Sequence, residues 1–145
     1  MYEGMQSINE KQDEIIEEFE AFEDWLERYQ LIIEYANELK KNPMPAEDKI
    51  DRNKIDGCQS TVWFTCRLED GKLWLNGDSD ALLVKGIVAL LLSVLSGHTP
   101  KEILDADLYF IDRIGLREHL SPTRSNGVAA MLKQIKLYAL AYQSK

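Results

Sequence analysis

The sequence contains few of the residues that build metal centres and disulfides. Its 145 residues include two cysteines, Cys58 and Cys66, and two histidines, His98 and His119. None of these lies in a Cys-x-x-Cys, His-x-x-x-His or His-Glu-x-x-His motif. A structural zinc site needs four such ligands with local pairs, and a dithiol redox motif needs the Cys-x-x-Cys spacing. We therefore predict no metal site and no dithiol redox centre.

Phosphate-binding motifs and long apolar runs are also missing. Neither Gly-x-Gly-x-x-Gly nor a phosphate loop occurs. The most apolar stretch, residues 81–95, is interrupted by Lys85 and Gly86 and is shorter than the roughly 20 residues that span a bilayer. No N-terminal stretch has the pattern of a secretory signal. We expect a cytoplasmic protein without membrane association, in which the thiols stay reduced and form no disulfide.

Basic residues are the minority among the charged ones. There are 17 Lys and Arg against 25 Asp and Glu, which gives a formal net charge of −8. Nucleic-acid binding needs clustered Lys and Arg, so we predict no nucleic-acid partner. Hydrophobic residues make up 45% and charged residues 29%, as in folded domains. The length fits one domain over residues 1–145, with residues 1–6 expected to be a disordered leader.

Helix signals dominate the first third of the chain. Ser7 and Glu10 have the spacing of a capping box before a run with helical hydrophobic periodicity. Asp24 is a candidate N-cap for a second amphipathic helix. Prolines at 43 and 45 end that helix, because proline disfavours helical geometry in the residue before it. We predict two consecutive helices here.

The hydrophobic period changes to two from Ser60 onward. Val62, Phe64, Cys66 and Leu68 alternate with more polar residues, which predicts a strand with these four on its core face. Asp70-Gly71 is a hairpin turn signal, and residues 73–75 form a short returning strand. We predict a third strand from residues 50–55.

The second half of the chain has helical patterns again. We expect Asp78 or Ser79 to cap a buried helix over residues 81–95. Thr99-Pro100 begins a short helix, and Ser121-Pro122 begins the last one, which runs to about Tyr142. The order is helices, a small antiparallel sheet of about three strands, then helices. That order predicts an α+β domain with helices packed on the sheet.

Cys58 and Cys66 occupy different kinds of position. Cys58 follows Gly57 on a loop tip, where a thiol can reach a partner; the alternative is an inert, half-buried thiol. Cys66 lies in the middle of a strand, which is typical of a core residue. Position alone leaves both interpretations of Cys58 open.

Two further residues suggest chemistry near Cys58. His119 could serve as the base of a Cys-His hydrolase or transferase; the alternative is a capping or surface histidine. Arg124 falls in the first turn of the last helix, where the dipole disfavours a cation. It could pair with Asp80 or lower the pKa of a nearby thiol, or it could simply be solvated. A non-catalytic adaptor is a third hypothesis.

Three motifs resemble those of SufE and CsdE proteins and occur in the same order. They are Gly57-Cys58-Gln59-Ser60-Thr61-Val62-Trp63, then Gly77-Asp78-Ser79-Asp80-Ala81 with Val84-Lys85-Gly86, then Leu116 with His119-Leu120-Ser121-Pro122-Thr123-Arg124-Ser125-Asn126-Gly127. The resemblance covers nearly the whole chain and implies a SufE/IscU-like fold. IscU-type scaffolds use three cysteines, whereas this chain has two, so the resemblance does not imply a scaffold role.

The resemblance also implies a function. SufE-like proteins accept sulfur, as a cysteine persulfide, from a pyridoxal-phosphate cysteine desulfurase (SufS-like), stimulate that enzyme, and pass the sulfur to a cluster scaffold complex (SufBCD-like). By motif position the acceptor is Cys58. Arg124, Asp80, Gly57, Gln59 and His119 are implied as supporting residues. The protein would be a sulfur-transfer partner rather than an enzyme, with no cofactor of its own, since the pyridoxal phosphate belongs to the desulfurase.

Overall fold

The computed structural model describes residues 6–143 and has the predicted α+β architecture. Two 3₁₀ turns, Ala46–Asp48 and Asp51–Asn53, precede the sheet. The strands are β1 (Val62–Glu69) and β2 (Lys72–Ser79). The helices are α1 (Ile8–Glu20), α2 (Trp25–Leu39), α3 (Leu82–Leu95), α4 (Pro100–Asp105), α5 (Phe110–Arg113), α6 (Leu116–His119) and α7 (Pro122–Gln143). Of the leader expected at residues 1–6, residues 1–5 lie outside the described residues, and Gln6 donates a hydrogen bond to Glu14.

The predicted helix caps are confirmed where they are local in sequence. The Ser7 hydroxyl accepts from the Glu10 backbone N–H at 3.1 Å, and the Glu10 carboxylate accepts from the Ser7 N–H at 3.0 Å. Asp24 caps α2 by accepting from the Leu26 N–H. Thr99 opens α4 with the same reciprocal box as α1. These groups satisfy backbone donors that the first helical turn leaves without partners.

The sheet is a two-stranded antiparallel hairpin, one strand fewer than expected. β1 pairs with β2 in the register that places Val62 opposite Ser79 and Glu69 opposite Lys72. Residues 50–55 form a 3₁₀ turn and one isolated bridge, Lys54 to Trp63, instead of a third strand. This segment is polar and has no alternating pattern, so it offers no apolar face that a strand could bury.

The prediction that Asp78 or Ser79 caps the central helix is wrong. Both residues belong to β2, and α3 begins at Leu82 with Ala81 in the cap position. Pairing with β1 carries the strand further than the sequence suggested, because Ser79 lies opposite Val62 in the hairpin. Asp78 is 4% exposed and its carboxylate contacts two lysines.

The core lies between α3 and the elements packed around it. Nine residues of α3 are buried, which agrees with its prediction as the central helix. The inner face of the hairpin contributes Val62, Phe64 and Leu73, while Cys66 is half-buried and Leu68 is 38% exposed. The residues of the predicted core face of β1 are therefore buried at the start of the strand and become exposed toward the hairpin turn. No helix within residues 6–143 has the length and apolar character needed to cross a membrane.

Candidate functional site

Cys58 lies on a loop that we call the Cys58 loop, residues 56–61, between the isolated bridge at Lys54 and β1. Gly57 has φ +92°, a left-handed conformation that side chains with a Cβ rarely adopt. A Cβ at Gly57 would also lie 3.4 Å from the Cβ of Ala130 in α7. Gly57 thus turns the loop so that it lies against α7.

The Cys58 thiol packs against the backbone of α7. Its Sγ lies 3.6 Å from the Gly127 carbonyl oxygen, within the range of a weak S–H donor. A Cβ at Gly127 would lie 3.6 Å from the same Sγ, so glycine leaves room beside the thiol. Cys58 is half-buried as a result.

A small cavity adjoins the Cys58 thiol. Its volume is about 10 Å³, close to what one water molecule needs. Its apolar wall comes from α3 and α7, and its polar rim comes from the loop and the start of α7. The lining residues are Cys58, Gln59, Ser60, Val84, Ile87, Thr123, Arg124, Gly127, Val128 and Met131.

Burial raises the pKa of the Cys58 thiol above its usual value. Arg124 lines the cavity, but the direction of the pKa shift follows desolvation, so of the alternatives open for Arg124 the one that lowers this pKa gains no support. The resting thiol is therefore protonated at neutral pH. Because the thiolate is the nucleophile, sulfur chemistry at Cys58 needs the loop to move toward solvent or toward a partner that ionises the thiol.

Asp80 and Ser79 hold the end of the Cys58 loop that enters β1. The Asp80 carboxylate accepts from the Thr61 N–H at 3.1 Å, and the Asp80 N–H donates to the Thr61 carbonyl at 3.2 Å. The Ser79 hydroxyl donates to the same carbonyl at 2.8 Å. Asp80 thus acts on the loop backbone. Over residues 6–143 Arg124 makes no ion pair, and its side chain is exposed.

His119 is held away from the thiol by other contacts. Its ring stacks on Trp25 with centroids 4.1 Å apart and planes 8° apart. Its Nδ1 lies 2.9 Å from the Gly115 carbonyl oxygen. His119 is absent from the lining of the Cys58 cavity, so the described structure does not assemble a Cys-His pair. These contacts match the interpretation of His119 as a residue that stabilises a helix end.

Cys66 lies in β1 and faces a different part of α7 from Cys58. It lies opposite Leu75 in the hairpin and close to Tyr138 of α7. Burial raises its pKa to about 11. Since Gly127 and Tyr138 are separated by about three turns of α7, or roughly 16 Å, the two cysteines are too far apart for a disulfide. Within the described residues no group of three or more His, Cys, Asp or Glu side chains is placed to hold a metal ion.

Sequence reasoning located the thiol but missed most of its surroundings. In the sequence Gly127 is only the end of a motif, and Val84, Ile87 and Met131 have the pattern of ordinary core positions. Their helical spacing predicts burial but not which side chain they cover. The fold and site together define an α+β protein that keeps one loop thiol in a small apolar cavity.

Comparison with known proteins agrees with this class. The family model SufE, described as an Fe–S metabolism associated domain, matches residues 13–139. An uncharacterized SufE-like protein of Synechocystis is 44% identical over 129 residues, covering 89% of this chain and 80% of the relative. An uncharacterized SufE-like protein of Rhizobium meliloti is 40% identical, covering 86% of this chain and 91% of the relative.

A solved structure supports the fold. The solution structure of a hypothetical protein from Thermus thermophilus superposes with a TM-score of 0.75 at 26% identity, covering 93% of this chain and 97% of the other. The chain belongs to the SufE family, whose domain is associated with Fe–S metabolism.

Proposed function

We propose that this protein is a cytoplasmic sulfur carrier. Cys58 takes sulfur from the persulfide of a pyridoxal-phosphate cysteine desulfurase (SufS-like) and delivers it to a scaffold complex (SufBCD-like) for iron–sulfur cluster assembly. The protein itself has no cofactor and is a transfer partner rather than an enzyme. The observation that carries the proposal is the loop thiol held in an apolar cavity of about one-water size.

The transfer is a thiol–persulfide exchange that needs no external oxidant. The Cys58 thiolate attacks the terminal sulfur of the desulfurase persulfide and forms a new S–S bond. The S–S bond of the desulfurase persulfide breaks, and the desulfurase cysteine leaves as a thiolate. The proton lost by Cys58 balances the proton that the departing thiolate can take up. Release to the scaffold repeats the exchange in the other direction.

The resting geometry suits a carrier of a labile group. A persulfide reacts with dissolved small thiols. The cavity walls formed by Val84, Ile87 and Met131 limit the access of such thiols to Cys58. The raised pKa of Cys58 also keeps the empty carrier from reacting with other electrophiles. Docking to the desulfurase must therefore displace the Cys58 loop, and the loop backbone allows this. Residues 56–60 belong to no strand and to no isolated bridge, so no sheet pairing holds their backbone.

Acceptance of sulfur would also stimulate the desulfurase. A desulfurase that carries a persulfide has its nucleophilic cysteine blocked until the sulfur leaves. A carrier that removes the sulfur restores the free cysteine and allows the next turnover. The rate of cysteine consumption should thus depend on the carrier thiol.

Desulfurase turnover tests the proposal. We expect the protein to increase the rate at which a SufS-like desulfurase converts free cysteine to alanine, and Cys58→Ser to remove the increase. The matched control is Cys66→Ala, which should stimulate like the wild type. No stimulation of an active desulfurase would contradict the proposal. Full stimulation by Cys58→Ser would point to an adaptor that acts through docking alone.

A further inference from the structure

We propose that Asp78 is a positioning residue for the Cys58 loop, acting through Lys49 on residues 46–55, which we call the anchor segment. The anchor segment leads directly into the Cys58 loop, so its position sets where the loop begins. The inference rests on the proposed function only in treating Cys58 as the reactive thiol. It concerns a carboxylate that touches neither the thiol nor its cavity.

Asp78 is the buried centre of a three-part contact. Its Oδ2 lies 3.0 Å from Lys49 Nζ, and its Oδ1 lies 3.1 Å from Lys85 Nζ. Oδ1 also accepts from the Ser79 N–H at 2.7 Å. Burial alone would raise the pKa of this carboxyl, but the bonds from Lys49, Lys85 and Ser79 hold it below its usual value. The carboxylate is therefore ionised and joins the anchor segment, β2 and α3.

The anchor segment has few other attachments to the sheet. It consists of two three-residue 3₁₀ turns followed by the single Lys54–Trp63 bridge and the bond from Ile55 N–H to the Val62 carbonyl. At its end the Ile55 side chain is buried in the core, so the ion pair holds the part of the segment that precedes Ile55. Lys49 Nζ lies 5.5 Å from the ring centroid of Trp63, the residue opposite Asp78 in the hairpin. The ion pair thus fixes the segment above this indole.

Trp63 does not itself tie the anchor segment down by a hydrogen bond. Its Nε1 is buried and has no partner among the described residues. A buried donor left without an acceptor is unfavourable, so the indole N–H does not help to hold the segment. The polar contacts that hold it there are the Lys49–Asp78 ion pair and the Lys49 cation over the ring.

The two ends of the Cys58 loop are therefore held by adjacent residues of the same strand end. Ser79 and Asp80 bind Thr61 at the exit of the loop. Asp78 binds Lys49 ahead of its entry. Without the ion pair, the Lys54–Trp63 bridge and the buried Ile55 side chain remain to hold the anchor segment. The segment then moves away from β1 more often and uncovers Cys58 without changing its cavity wall.

Lys49→Met isolates this effect because Lys85 remains to compensate the buried Asp78 charge. All variants carry Cys66→Ala, so that alkylation by iodoacetamide reports Cys58 alone. We expect Cys58 of the Lys49→Met variant to be alkylated about fivefold faster than Cys58 of the parent, because a half-buried ion pair is lost. Amide exchange over residues 46–55 should accelerate in parallel. Lys49→Arg keeps a cation and should restore the parent rate.

The matched control is Gln12→Met, which removes a fully buried polar side chain bonded to Asp107 and Phe110, away from the loop. It lowers stability without touching the anchor segment, so its alkylation rate should equal the parent's. An unchanged rate in Lys49→Met, an equal acceleration in Gln12→Met, or a failure of Lys49→Arg to restore the rate would overturn the proposal. Should Lys49→Met not fold, Lys49→Gln replaces it with the same expectation. No desulfurase is present, so failure here is distinct from failure of the proposed function.

Discussion

The two cysteines have similar resting environments and different backbones. Both are half-buried, and burial raises the pKa of both thiols. Cys66 lies inside β1, where pairing with β2 fixes the backbone before and after this residue. Cys58 lies on a loop whose backbone is bonded to the sheet near its two ends, and its thiol makes one weak contact to Gly127. The difference indicates that access to a thiol here depends on how readily its backbone moves, and not on how acidic the resting thiol is.

Exposure of each thiol requires a different amount of unfolding. Displacing Cys58 breaks one weak contact to Gly127 and a few bonds at Thr61. Displacing Cys66 requires opening the hairpin that supplies part of the core. Local openings of small free energy are populated far more often than global ones. Variants that change one opening and leave the other unchanged therefore test this difference between the two cysteines.

The largest expected change comes from filling the space beside Cys58. In Gly127→Val the added methyl groups extend beyond a Cβ that already lies 3.6 Å from Sγ, so they push the loop outward. Overpacking of about 1–3 kcal/mol corresponds to a rise in Cys58 alkylation of about fivefold to more than a hundredfold. Peptide-resolved alkylation should show no change at Cys66. Gly127→Ala is the control, because its Cβ makes ordinary contact and the rate should change little; equal acceleration at both cysteines would contradict the account.

A smaller change is expected when the exit of the Cys58 loop is released. Asp80→Ala removes the acceptor for the Thr61 N–H but leaves the Ser79 bond. Cys58 alkylation should rise by roughly threefold to fivefold, in keeping with the loss of one exposed charge-assisted hydrogen bond. Asp112→Ala removes a surface carboxylate that contacts Arg117 and serves as the control. A rise in Asp112→Ala of the same size would show that the effect is not local.

The pH dependence of stability should report the buried state of Cys66. The unfolded thiol ionises near the ordinary cysteine pKa of 9.0, whereas burial keeps the folded thiol protonated up to a pKa of about 11. Above pH 9 the unfolded state loses this proton first, so wild-type stability falls as pH rises from about 9 to about 11. Cys66→Ala should show a smaller fall in the free energy of unfolding by urea over that interval. An identical fall in both proteins would place Cys66 in a solvated environment.

The smallest change at the thiol is expected from His119. Its stacking on Trp25 should contribute about 1 kcal/mol, so His119→Ala should lower the free energy of unfolding by about that amount. Alkylation of Cys58 and stimulation of the desulfurase should stay at wild-type values. A large loss of sulfur uptake in a folded His119→Ala protein would revive the Cys-His alternative.

Features that depend on neighbouring residues were predictable from the sequence. The capping boxes of Ser7 and Thr99 and the N-cap of Asp24 are set by spacings of two or three residues. The period-two pattern and Asp70-Gly71 located the hairpin because both signals are also local in sequence. The turn has φ +53° at Asp70 and +77° at Gly71. The loop position of Cys58 followed from Gly57 and the start of the strand.

Features that depend on distant residues were not predictable. Asp78 looked like a helix cap because its partner Lys49 arrives from a segment with no periodic pattern. The sequence offered Arg124 as a partner for Asp80, but the Asp80 carboxylate accepts from the Thr61 N–H. Thr61 lies close to Asp80 because the hairpin pairs Val62 with Ser79, and such pairing joins residues that are distant in sequence. The cavity beside Cys58 combines α3, α7 and the loop, so its size depends on how helices pack.

The most direct test of the account is to locate the transferred sulfur. The protein is incubated with a SufS-like desulfurase and free cysteine without reductant. It is then alkylated and digested, and the peptide masses are measured by mass spectrometry. We expect one added sulfur atom on the Cys58 peptide, removed by reductant, and none on the Cys66 peptide. Cys58→Ser should lose the gain in intact mass, and Cys66→Ala should keep it. Sulfur on Cys66, or a gain that persists in Cys58→Ser, would contradict the account.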